Sequence, residues 1–99
     1  MSIISKVAVA SGFSPRFTPV LSEAWRFAQR FESEFSTLHV AERTPEHEVL
    51  LEQSLKQLQI PRPAHTEWLE GEPVGALADA AARLEIDLLV AGALVKEVE

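Results

Sequence analysis

The 99 residues leave room for one small domain, and 46% of them are hydrophobic, enough to bury a core and unlike a disordered composition. Nine basic residues stand against fifteen acidic ones, a net charge of −6 with no basic cluster, which argues against nucleic acid and against an acidic membrane surface as partners. The chain has no cysteine, its first residues Met1–Lys6 lack the basic start and apolar core of a signal peptide, and its longest apolar run, Leu88 to Val95, is too short to span a bilayer; a soluble cytoplasmic protein is expected.

Ile3 to Ala10 reads as the first strand, and its small apolar run Val-Ala-Val-Ala suits a strand buried on both faces of a parallel sheet. Ser11-Gly12-Phe13-Ser14 is the turn at its carboxyl end, where open α/β sheets bind ligands. Ser14-Pro15 and Thr18-Pro19 both have the form of a helix start, a capping hydroxyl followed by proline. The first helix then runs to about Glu32, with Val20, Leu21, Ala24, Phe27, Ala28 and Phe31 on its apolar face and Glu23, Arg26 and Arg30 opposite. Phe35 to Ala41 is the second strand. Thr44-Pro45-Glu46 opens a second helix that reaches about Gln59, with Leu51, Leu55 and Leu58 as its stripe and Leu50 beside them. Pro61-Arg62-Pro63 stops it.

His65 to Glu70 mixes polar and apolar residues, which suits an edge strand. Gly71-Glu72-Pro73 turns into a third helix whose buried face is expected at Val74, Leu77, Ala78, Ala81 and Leu84. Asp87 to Ala91 is a fourth, apolar strand, followed by Gly92. The alternation predicts an α/β fold: an open parallel sheet with helices on both faces and right-handed crossovers.

In order and at these spacings the pieces resemble a universal stress protein domain, and the resemblance spans nearly the whole chain. Lys6 to Pro15 is similar to that family's opening strand with its Phe-Ser-Pro continuation, and Leu38-His39-Val40 to its second strand. Glu70-Gly71-Glu72-Pro73, the alanine-rich helix and Ile86 to Ala93 are similar to its third strand, helix and fourth strand. The resemblance implies an open sheet of order 3-2-1-4-5, here 3-2-1-4 with the fifth strand missing or residual at Val95 and Val98. It implies a regulatory role in the stress response, a homodimer, and little or no catalysis. Because strand 4 lacks a covering strand, pairing is expected along its edge, with the tail Val95 to Glu99 contributing.

Many members of that family bind ATP or AMP. By resemblance the crevice would be made by Ala10, Ser11 and Gly12 on one side and Ala91 and Gly92 on the other, with Val40 touching the base. Two positions depart from the nucleotide-binding pattern. Gly12 stands where those members usually carry an aspartate that contacts the nucleotide, and Val95 stands where their phosphate loop has its second glycine. The plainer reading of Ser11–Ser14 is a tight turn that needs glycine. The run also resembles the pyrophosphatase loop of ATP-dependent ligases, but the second glycine and the aspartate of that loop are missing. The leading expectation is therefore a dimerising, non-catalytic binding module, and the alternative is an adenine-nucleotide binder.

The other chemistry-bearing residues read as structural. His39 sits mid-strand between Leu38 and Val40 with no carboxylate implied nearby, a packing position rather than a general base. His47 and His65 share no ligand spacing with it, so a metal site is not expected. Glu46, Glu48, Asp79 and Glu85 read as solvated helix charges. Trp25 is expected partly buried, and Trp68, on an edge strand, is the better interface candidate of the two, with core packing its plainer reading. The turn after strand 1 has no acids, which excludes a receiver-type phosphorylation site.

Overall fold

The computed structural model describes residues 4–11 and 17–91. Its elements alternate: β1 (Lys6–Ser11), α1 (Phe17–Phe31), β2 (Glu34–Val40), α2 (Pro45–Gln57), β3 (His65–Leu69), α3 (Pro73–Arg83) and β4 (Leu88–Ala91). The four strands form one parallel sheet in the order β3-β2-β1-β4. The expected fold class and strand order are both found, with β1 inside the sheet and β3 at one edge. The proposed start at Ser14-Pro15, Gly12, Gly92, and the tail residues Val95 and Val98 lie outside the described residues.

Side chains alternate across the sheet and sort into two cores. On one face Val7, Val9 and Phe35 meet Phe17, Leu21, Ala24 and Ala28 of α1 and Leu51 of α2. On the other, Ala8, Leu38 and Leu69 meet Ala80 of α3. Val7, Ala8 and Val9 have no exposed surface at all, because β1 has a strand on each side and a helix on each face. Each fully buried valine or leucine contributes about 1.5–3 kcal/mol. At the opposite end of the sheet, Asp87 ties β4 to β1: its Oδ2 accepts from the N–H groups of Ser5 (2.9 Å) and Lys6 (3.0 Å).

The helices start and stop by local chemistry. The Thr44 hydroxyl accepts from His47 N–H (3.1 Å) at the head of α2, and the Glu72 carboxylate accepts from Val74 N–H (3.1 Å) and Gly75 N–H (2.7 Å) at the head of α3. Gly71 before that cap has φ +106°, a conformation that only glycine adopts cheaply. All three helices end on a left-handed residue that is not glycine: Glu32, Gln59 and Glu85. Paired bonds close each end, as where Gln59 N–H reaches Lys56 C=O and Ile60 N–H reaches Leu55 C=O.

The face of α3 differs from expectation, whereas the α2 stripe of Leu51, Leu55 and Leu58 packs on the core as expected. In α3 the buried residue is Ala80, with Ala76, Leu77 and Leu84 half-buried around it, while Val74 is 74% exposed and Ala78 is exposed. Leu77 and Leu84 belong to both stripes, so the alanines between them carried no hydrophobic contrast to set the phase. In α2 the buried neighbour of Leu51 is Ser54, and Leu50 points to solvent. His47, in the first turn of α2, is half-buried against Trp68.

Candidate functional site

All four strands run the same way, so their carboxyl ends share one end of the sheet. The order reverses at β1: β2 and β3 lie to one side, β4 to the other. The crevice at such a reversal is the ligand site of open α/β sheets. Ala10 pairs in register with Ala91 of β4 and with Leu38 of β2, and Ser11 pairs with His39. Ala10, Val40 and Ala91 alternate onto the α3 side, Ser11 onto the α1 side. Ala10 is buried, Ser11 and Val40 are half-buried and Ala91 is exposed.

The open space at this end divides in two. A cleft of about 440 Å³ lies over the ends of β2 and β3, lined by Val40, Ala41, Glu42, Leu69, Glu70 and Gly71. A second, of about 410 Å³, is lined by Pro19, Val20 and Glu23 of α1 with Val90 and Ala91 of β4. Val40 thus shares its cleft with the end of β3, and Ala91 shares its cleft with α1. Leu69 at the end of β3, and Glu70 and Gly71 after it, were missed as site residues in the sequence. The Gly-x-Pro turn and the edge position of β3 were the signals that would have placed them beside Val40.

The first cleft has an apolar floor, Val40 and Leu69, and two carboxylate-bearing residues, Glu42 and Glu70. That chemistry suits a flat apolar ring with donor groups at its rim and repels phosphate. The Glu42 carbonyl is engaged by His47 Nδ1 (2.6 Å).

His39 lies on the other side of the sheet with no exposed surface. Its ring packs 4.8 Å from Trp68 and 6.1 Å from Phe17. Burial first, and then the charge of His47, lower its pKa from 6.5 to about 4, against a smaller opposing contribution from the Ser11 backbone. The ring is a neutral packing element at neutral pH. Trp25 is half-buried edge-on to Phe35 (5.3 Å). Across the sheet from His39, Glu67 is gripped by Arg83 and by His65 Nε2 (2.8 Å), and these bonds lower its pKa to about 2. Asp79 and Glu85 are exposed, as are Glu46 and Glu48, the latter paired with Arg43 (2.7 Å). Among the described residues no cluster of three His, Asp or Glu side chains is placed to hold a metal ion, and no helix is long and apolar enough to cross a membrane.

No protein-family model matches the sequence, and no curated protein sequence does. Solved structures do match. A universal stress protein crystallised in complex with cAMP is 17% identical, with a TM-score of 0.77 over 98% of this chain and 79% of that one. Protein Rv1636 from Mycobacterium tuberculosis H37Rv is 21% identical, with a TM-score of 0.63 over 93% of this chain and 73% of that one. By this likeness and by its strand order, the chain has the universal stress protein fold.

Proposed function

We propose that the chain is a non-catalytic, universal-stress-like binding module for an adenine nucleotide, held in the cleft over the carboxyl ends of β2 and β3. The observation that carries this reading is the cleft of about 440 Å³ beside Val40, in a fold shared with a protein that holds cAMP. The base rests on Val40 and Leu69, and the carboxylates of Glu42 and Glu70 accept hydrogen bonds from the amino group of the base or from ribose hydroxyls. The same carboxylates disfavour a run of phosphates, so AMP or cAMP is bound more tightly than ATP.

Calorimetry and thermal shift with AMP, cAMP and ATP test this. The expected result is saturable binding and a raised melting temperature with the monophosphates, with no release of inorganic phosphate from ATP. Gly12→Asp, which supplies the carboxylate that the resemblance associates with nucleotide contact, is expected to tighten binding. No heat and no shift with any of the three nucleotides would overturn the reading.

Assembly belongs to the same proposal. Leu88, Leu89 and Val90 are half-buried, and among the described residues no strand pairs with the outer edge of β4. A homodimer joined along that edge is the form in which the module acts in the stress response. Light scattering across a concentration series is expected to show it, and a monomer throughout would contradict it.

A further inference from the structure

The other edge of the sheet carries a second, chemically different surface. A groove of about 650 Å³ runs between α2 and β3. Its floor is apolar and comes from three separate stretches: Leu55 of α2, Ile60 after it, and Trp68 of β3. Its rim carries a small cationic excess, three basic side chains against the carboxylates of Glu48 and Glu52. Arg43, Lys56 and Arg62 line it, three of the nine basic residues of a chain whose net charge is −6. Glu48 neutralises Arg43, but neither Lys56 nor Arg62 has an ion pair among the described residues.

The backbone beside this groove is an open edge. Glu34 N–H donates to Ser5 C=O (2.8 Å), so the even-numbered residues of β2 bond to β1 and the odd-numbered ones to β3. Thr37 stands opposite Thr66, and its bonds therefore fall on His65 and Glu67. That leaves the N–H and C=O of Thr66 on the outer side of the strand. Among the described residues no strand pairs with that side.

We infer that the β3 edge and the α2–β3 groove together form a docking site for an extended peptide segment of a partner protein, one that adds to the sheet as a strand and carries an apolar side chain and, two residues on, an acidic one. Strand addition supplies main-chain bonds and places every second side chain over the groove. The apolar residue lies on Leu55, Ile60 and Trp68. The acidic one meets Lys56 and Arg62. The overall negative charge of the chain otherwise repels acidic segments, so the local cations set both the place and the partner's charge. On the opposite side of the strand the Glu67–Arg83 pair faces solvent and leaves the intervening peptide positions unconstrained.

The test uses the full chain and two synthetic peptides. In one, leucine and glutamate alternate at every second position with threonine between them. In the other, lysine replaces glutamate. Binding is followed by tryptophan fluorescence and by the backbone amide signal of Thr66. The glutamate peptide is expected to bind and to move the Thr66 amide, and the lysine peptide to bind at least about tenfold more weakly. Lys56→Glu with Arg62→Glu, both at exposed positions, is expected to reverse that preference without loss of fold. Backbone N-methylation of the glutamate peptide is expected to abolish binding. Equal binding of the two peptides, an unmoved Thr66 amide, or a Thr66 shift that follows protein concentration without peptide would each overturn the proposal. The last would make the occupant a second copy of this chain.

Discussion

His39 is a buried base with a folded-state pKa of about 4, against 6.5 for the free side chain. Between those values the unfolded chain binds the proton and the folded chain does not. Stability is therefore full above pH 6.5 and falls as the pH drops toward 4, by about 3 kcal/mol for a shift of this size. Urea titrations from pH 7.5 to 4 are expected to show that decline, and His39→Phe, which keeps an aromatic ring against Trp68, to flatten it. Glu67 acts in a lower window. Its carboxyl is depressed to about 2 by Arg83 and His65, so its contribution is present above pH 4.5 and is lost as the pH falls toward 2. Glu67→Gln removes only that second decline. The packing role of His39 was legible from its place between Leu38 and Val40. The Trp68 and Phe17 rings that pack on it come from β3 and α1, distant positions that no local pattern joins.

At the scale of elements, strong hydrophobic contrast made β1, β4 and α1 readable. The face of α1 is as expected from Val20 to Ala28. The boundaries differ by a residue or a few, as where β2 begins at Glu34 rather than Phe35. The helix ends carried no glycine to mark them, and only Pro61 signalled the end of α2. The face of α3 was not legible, since Pro73–Arg83 contains one leucine among five alanines and its phase is set by what it packs on. Ala80→Leu and Ala78→Leu separate the two phases. The first forces a larger side chain into a site with no exposed surface and is expected to cost about 1–3 kcal/mol. The second adds an exposed leucine and is expected to change stability by less than about 0.5 kcal/mol. Chemical denaturation of both proteins gives the comparison.

For the whole molecule, the sequence pointed to the carboxyl end of β1 as the candidate ligand end, and the strand order places its reversal at β1. What it did not locate was the division of that end into two clefts, because the neighbours of Val40 are fixed by the pairing of β2 with β3, a long-range event. The same pairing pattern governs assembly in time. Ser5 C=O faces β2 and Lys6 C=O faces β4, so the amides of Val7 and Val9 bond to β2 and those of Ala8 and Ala10 to β4. β2 follows β1 after a single helix, whereas β4 lies about eighty residues further along the chain. Contacts of such separation form late. Pulsed hydrogen exchange during refolding is expected to protect Val7 and Val9 before Ala8 and Ala10. A nascent chain, emerging at roughly 5–20 residues per second, carries the strand at the centre of its core with one side open for several seconds, a period in which a chaperone or another nascent chain competes with β4 for the same edge.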